Sequence, residues 1–275
     1  MSLKFALVGN PNCGKTTLFN EITGNTQYVG NWPGVTVEKR EGKARKIQGD
    51  VKIIDLPGIY SLSPYSMEEI IARDYIMNEQ PDVVINIVDA TNIERNLYLT
   101  TQLIELGVNV VVALNMMDAA DARGDKIDIG ILEAHLKVPV IPITASKGRG
   151  VKELLERALN VAQTATSAAS PASEEVEAIF NEMHDESIIS CIRKIEKNII
   201  PKLNIKTENP RWTALKLLEG DEKVQDTLKV RRKLGLSGKS FIPMLIGFGC
   251  SVPALMSTRT LENEKEQLCR HRLLP

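Results

Sequence analysis

The residues with the plainest chemistry lie in one stretch, Gly9-Asn10-Pro11-Asn12-Cys13-Gly14-Lys15-Thr16-Thr17. It follows the apolar run "KFALVG" and opens the amphipathic run "GKTTLFNEITG". At a strand-to-helix junction, Gly-x-x-x-x-Gly-Lys-Thr lets successive backbone N–H groups turn inward and hold phosphate oxygens. Lys15 is then placed to reach the β- and γ-phosphates, and the Thr16 hydroxyl to ligate Mg²⁺. A second apolar run ends in Asp55-Leu56-Pro57-Gly58. An acidic residue at that point holds Mg²⁺ through water, and the Gly58 N–H can meet the γ-phosphate and move when that group leaves. The plainer alternatives are a bare strand–turn–helix corner and an ordinary Pro-Gly turn.

Asn115-Met116-Met117-Asp118 follows the apolar run "VVVAL". It resembles the guanine-reading element of GTPases, Asn-Lys-x-Asp, with Met116 where the Lys usually stands. A carboxylate accepts two hydrogen bonds from the N1–H and exocyclic amine of guanine. Adenine offers no such pair and would leave Asp118 buried and unpaired, and sites of that kind discriminate by about 10⁴. Met116 keeps apolar contact with the base plane but supplies no charge, which implies modest affinity. Thr144-Ala145-Ser146-Lys147-Gly148 resembles the last guanine-side loop, with the Ala145 backbone facing the base oxygen. The order of the four elements is that of a translation-factor-type GTPase and argues against an ATPase.

Five short apolar runs must carry these loops: "KFALVG", "VKIIDLPG", "DVVINIVDA", "VNVVVALNMMD" and "VPVIPITAS". Each has the β-branched character of a strand buried on both faces, the habit of a parallel sheet. Helix-like stretches separate them, so the pattern predicts βαβ units. "VTVEKREGKARKI" alternates, follows a loop, and is expected to be an edge strand antiparallel to the next one. The fold class expected is α/β, a P-loop GTPase of the translation-factor or Ras-like kind: a mostly parallel sheet flanked by helices. A small all-α domain is expected after it. The composition shifts at "TATSAASPAS", which suits a linker. Beyond it, Val176, Ile179, Phe180, Met183, Ile188, Ile192, Ile195 and Ile199 fall at helical intervals. A further helix is expected near Pro210. The organisation expected is a G domain over residues 1–165, a linker over 166–173, a helical domain over 174–235 and a terminal segment over 236–275.

Between the phosphate loop and "DLPG" stands "VGNWPGVTVE", Val29 to Glu38. With "GNPNCGKTTLFN" and "DLPG" it closely resembles the cytosolic G domain of the FeoB, or ferrous iron transport protein B, family. The likeness covers residues 2 to about 165, and the following unit agrees in position with that family's helical domain, described as favouring GDP retention. The resemblance implies GTP hydrolysis to GDP and phosphate, on the cytoplasmic side of the membrane and coupled to Fe²⁺ uptake. It implies that Thr36 is the switch residue joining Mg²⁺ and the γ-phosphate. The position after "DLPG" is Ile59, which cannot orient water as the Gln of many GTPases does, and no Arg finger is evident. Members of the family bind K⁺ between the β- and γ-phosphates. Asn12 matches the ion-binding Asn, and Gly30 and Trp32 match the positions whose carbonyls complete the site; hard oxygen donors suit such an ion. The alternative is that Asn12 only stabilises its loop by local side-chain to backbone bonding. Trp32, on a loop, is also a candidate lid or partner contact.

The catalytic set is therefore Lys15, Thr36, Gly58 and Asn12. The nucleotide-binding set is Gly9 to Thr17, Asn115, Met116, Asp118, Thr144, Ala145 and Ser146. The cofactors expected are GTP or GDP, Mg²⁺ and K⁺. A guanine nucleotide, a FeoB-type membrane domain and a second copy of the chain are the partners considered. A net charge of −1 over 275 residues gives no basic footprint for nucleic acid. That charge also speaks against the rival function, a GTPase of RNA or ribosome maturation; a non-catalytic nucleotide-binding remnant is the other rival. Cys13, Cys191, Cys250 and Cys269 have no paired spacing and suit reduced thiols, with Cys191 expected in the core. His135, His184 and His271 have no metal-ligand spacing. Glu68 and Glu69 are either a solvated helix start or helpers for water. Ser237 to Gln267 resembles the gate motif of the FeoB membrane domain, without the spans that precede it in the family. Its apolar part, Phe241 to Met256, is shorter than the roughly 20 residues of a span and is interrupted by Pro243 and Pro253. The chain alone is thus expected to be soluble or peripheral and not to transport iron.

Overall fold

The computed structural model describes residues 2–24, 27–47, 49–167, 180–181, 184–198, 200, 209–221 and 223–224. The expected linker lies mostly outside these residues, and the gate-like segment, with Cys250, Cys269 and His271, lies wholly outside them. The chain divides into two compact units between Ile179 and Phe180, and each is taken by itself.

The first unit is built on a seven-stranded sheet. Its strands are β1 (Leu3–Gly9), β2 (Gln27–Asn31), β3 (Glu38–Lys43), β4 (Val51–Asp55), β5 (Val83–Asp89), β6 (Val110–Asn115) and β7 (Val140–Pro142). Their order is β2-β3-β4-β1-β5-β6-β7. The five apolar runs are the parallel part, β4-β1-β5-β6-β7. β3 runs antiparallel to β4, as its alternation suggested, but it is not the edge. β2 pairs outside it, Gly30 opposite Lys39, and forms the edge of the sheet. No residue of β2 is buried, so Gln27-Tyr28-Val29-Gly30-Asn31 carries none of the polarity alternation that reveals a half-buried strand.

Strand alternation sorts the core. Phe5, Leu7, Ile53, Val83, Ile85, Ile87, Val111 and Ala113 pack in one layer with Leu18, Phe19 and Ile22 of α1 (Lys15–Thr23) and Leu154, Leu155 and Ala158 of α6 (Val151–Ser167). Each fully buried Val, Leu, Ile or Phe of this layer contributes roughly 1.5–3 kcal/mol, and the alanines less. Asn86, intervening on β5, faces α3 (Ile93–Leu106) and donates to the Thr100 hydroxyl at 2.6 Å. α2 (Met67–Glu79) begins with a capping box: Ser66 Oγ accepts from the Glu69 N–H at 3.2 Å, and the Glu69 carboxylate accepts from the Ser66 N–H at 3.1 Å. Glu69 is buried in that role and Glu68 is exposed, so only Glu68 is the solvated helix start expected of the pair. Two shorter helices, α4 (Met117–Arg123) and α5 (Ile129–Leu136), complete the unit.

In the second unit, helix Glu186–Asn198 buries Ile192 and Ile195. Cys191 is half-buried there rather than in the core. Helix Pro210–Glu219 starts where expected: the Asn209 side chain accepts from the Trp212 N–H at 2.9 Å and Pro210 occupies the first turn, where its missing N–H costs nothing. Trp212, Ala214, Leu215 and Leu217 form its buried face. No helix among the described residues is long and apolar enough to cross a membrane.

Candidate functional site

The phosphate loop connects β1 to α1 and turns through two left-handed residues, Asn12 at φ 68° and Gly14 at φ 89°. A Cβ at Gly9 would come within 2.7 Å of both Cys13 Sγ and the Ile87 carbonyl, so the chain passes there only as glycine. The Cys13 N–H closes a turn onto the Asn10 carbonyl at 3.2 Å. The Asn10 side chain is buried with neither polar atom hydrogen-bonded. Cys13 is 1% exposed, and burial pushes its thiol up to about 11, so it stays protonated. Pro11, Thr16 and Thr17 are exposed at the mouth. Asn12 is exposed as well, and no side-chain hydrogen bond of it is seen among the described residues.

The "DLPG" segment lies against this loop. Leu56 and Ile59 donate their N–H groups to the Leu7 and Gly9 carbonyls, each at 3.1 Å. A Cβ at Gly58 would lie 3.3 Å from Pro11 Cα, so Gly58 adjoins the loop. The Ile59 side chain is buried in the core and faces no water. Asp55, almost buried, forms an ion pair with the Lys15 ammonium. Burial holds the Asp55 carboxyl above its ordinary range, opposed by Lys15. The Thr16 hydroxyl and Asp55 carboxylate are hard oxygen donors at adjoining loops, and they fit Mg²⁺.

The segment expected to close over the phosphates is elsewhere employed. Gly30 belongs to β2. The Trp32 N–H donates to the Val37 carbonyl at 2.9 Å, and the Trp32 carbonyl accepts from the Val35 N–H at 3.2 Å. The Trp32 ring is not an open lid. It is buried, packs edge-on to Tyr75 of α2 with centroids 5.4 Å apart, and lies under the Lys39 ammonium at 4.9 Å. Thr36 is exposed in the same segment.

The base-side loops meet the phosphate loop through Asn115. Its amide donates to the Cys13 carbonyl at 2.9 Å, and its Oδ1 accepts from the Ala145 N–H at 3.0 Å. The Ala145 backbone, expected to face the base oxygen, thus has its N–H engaged by Asn115, and Ser146 beside it is exposed. Thr144 is buried and closes the loop by exchanging backbone hydrogen bonds with Arg149 at 3.1 and 3.3 Å. Met116 is left-handed at φ 63°. Asp118 is neither buried nor unpaired. Its side chain is 34% exposed and sits 2.7 Å from Lys147 Nζ, while Oδ1 accepts from the Ala119 N–H at 3.1 Å. Lys147 holds its carboxyl below the ordinary range. The buried, unpaired carboxylate on which the sequence rested its base discrimination is thus not what the structure shows.

The loops after β1, β4, β6 and β7 thus gather at the carboxyl ends of parallel strands, where open α/β sheets bind ligands. A phosphate loop, an acidic residue on the neighbouring inner strand and an Asn-x-x-Asp element so placed are the architecture of a P-loop GTPase G domain. A family model described as Ferrous iron transport protein B matches residues 3–158, and one described as FeoB cytosolic helical domain matches residues 184–240. The chain belongs to the FeoB family. It is 44% identical over 223 residues to the Fe(2+) transporter FeoB of Escherichia coli K12, covering 80% of this chain and 27% of that protein. It is 46% identical over 228 residues to that of Methanocaldococcus jannaschii, covering 83% and 32%. The chain therefore spans between a quarter and a third of the length of these curated relatives. Among solved structures, an S. thermophilus NFeoB mutant bound to mGDP aligns with TM-score 0.77 at 39% identity, over 99% of this chain and 98% of that one. The apo cytosolic domain of T. maritima FeoB aligns with TM-score 0.73 at 35% identity, over 94% and 99%.

Proposed function

We propose that the chain binds guanine nucleotides and hydrolyses GTP to GDP and phosphate, as the cytosolic regulatory module of a ferrous iron uptake system. The observation that carries this is the Asn115 bridge, which sets the Asn115–Asp118 segment and the Thr144–Gly148 loop directly against the phosphate loop. Backbone amides of residues 10–16 hold the phosphates, and Lys15 leaves Asp55 for the β- and γ-oxygens. Mg²⁺, held by Thr16 and through water by Asp55, joined by Thr36, would neutralise charge on those oxygens. The Gly58 N–H meets the γ-phosphate. Water attacks the γ-phosphorus in line, the bond to the β–γ bridging oxygen breaks, and the proton of the water leaves with the products.

Ile59 offers water no hydrogen bond, so charge at the bridging oxygen needs another partner. K⁺ held by Asn12 and the Gly30 and Trp32 carbonyls would supply it once the β2–β3 hairpin rearranges. The free Asn12 side chain supports this assignment. The helical unit is assigned to GDP retention, supported by the match of residues 184–240 to the family's helical domain. Multiple-turnover phosphate release from GTP and from ATP, in K⁺ and in Na⁺, before and after Asn12→Ala, tests the reading. GTP turnover that is faster in K⁺ and loses that advantage in Asn12→Ala is expected. Preference for ATP would discard the guanine assignment, and equal GTP rates in all four conditions would discard the ion.

A further inference from the structure

We propose that Lys147 is an affinity-setting residue that competes with guanine for Asp118; this rests on the reading of Asp118 as the guanine-binding carboxylate. Guanine needs both carboxylate oxygens, one for N1–H and one for the exocyclic amine. In this structure each already has a donor: Oδ2 has the Lys147 ammonium at 2.7 Å and Oδ1 has the Ala119 N–H at 3.1 Å. The backbone amide is part of the helix start and stays. Each oxygen can accept a second donor, so it is not filled; the ammonium, on a mobile side chain, is the partner that gives way to the base at Oδ2.

Lys147 is held ready by its loop. Its own N–H donates to the Thr144 carbonyl at 3.0 Å, the Gly148 N–H donates to the Ala145 carbonyl at 3.2 Å, and Thr144 and Arg149 close the turn. Gly148 is left-handed at φ 66°, and a Cβ there would crowd the Glu21 carboxylate of α1, so the loop is fixed against that helix. Because the backbone is fixed, only the side chain of Lys147 loses freedom on pairing. A residue absent from the Asn-x-x-Asp element thus delivers, from the next loop, the cation that Met116 lacks, and delivers it to the carboxylate. The consequence is faster release of a guanine nucleotide, since Lys147 recaptures Asp118 as the base departs.

The pair is half-exposed, and an exposed ion pair corresponds to about a two- to fivefold change in an equilibrium constant. Lys147→Ala is expected to tighten GDP binding and slow GDP release by that factor, measured with a fluorescent GDP analogue on the whole chain. Lys147→Arg, which keeps the cation, is expected to stay near wild type. Inosine diphosphate lacks the exocyclic amine and needs one oxygen fewer, so Lys147→Ala is expected to tighten it less, raising the preference for GDP over the inosine nucleotide. Unchanged or weaker GDP binding by Lys147→Ala, with wild type binding normally, overturns the competition and leaves the guanine reading intact. Failure of wild type to bind GDP overturns both.

Discussion

The Asn115 side-chain amide donates to the Cys13 carbonyl at 2.9 Å, tying the end of β6 to the middle of the phosphate loop. The same side chain receives the Ala145 N–H, so one residue fixes three loops. Asn115→Ala would leave a buried carbonyl and a buried N–H without partners. Each such loss costs about 1–3 kcal/mol. Urea unfolding is expected to show a loss of roughly 2–6 kcal/mol, with a fall in nucleotide affinity even though Asn115 Oδ1 and Nδ2 are both engaged within the protein.

The base preference should follow the Asp118 side chain. A carboxamide presents one acceptor and one donor where the carboxylate presents two acceptors. Asp118→Asn therefore mismatches the N1–H and amine of guanine and matches the N1–H and C2 carbonyl of xanthine. Competition binding is expected to show GDP weakened and xanthosine diphosphate strengthened; a variant that keeps its GDP preference would place the base elsewhere.

The Lys15–Asp55 ion pair gives a pH test. Burial raises the folded-state pKa of Asp55 above its unfolded value, and Lys15 opposes that rise. A raised carboxyl pKa favours folding fully below the unfolded pKa, and that contribution is lost as pH rises through the folded pKa. Lys15→Met removes the opposition, so the rise grows and the unpaired carboxylate becomes costly at neutral pH, by about 3 kcal/mol. Thermal unfolding of the variant is expected to lie further below wild type at alkaline than at acid pH. A gap that is the same at both would refute the assignment.

Trp32 reports the switch segment. Its indole N–H is buried with no hydrogen-bond partner, so Tyr75 and Lys39 hold the ring by packing alone. With Trp212→Phe leaving Trp32 as the remaining indole, binding of a non-hydrolysable GTP analogue in K⁺ and Mg²⁺ is expected to shift emission to the red as the ring leaves Tyr75. GDP alone is expected to leave the spectrum unchanged.

The legible part of this protein was the part governed by burial and by spacing. Val83–Val88 and Val110–Leu114 are buried on both faces and apolar but for Asn86, and so announced inner parallel strands. The phosphate loop was legible because glycine spacing encodes backbone shape. β2 was not, because its side chains are set by solvent rather than by a core. The burial of Trp32 depends on Tyr75, a partner that local periodicity cannot name. The engagement of the Ala145 N–H by Asn115, and of Asp118 by Lys147, arises only when loops distant in sequence converge.

The Trp32 carbonyl accepts from the Val35 N–H in the turn that ends β2, so on the proposed K⁺ reading the carbonyl assigned to the ion already serves that turn. If that proposal holds, sheet edge and ion site draw on the same few peptide groups. Substitutions that tighten the hairpin should brake turnover, and those that loosen it should quicken turnover, without touching a single atom that meets the nucleotide.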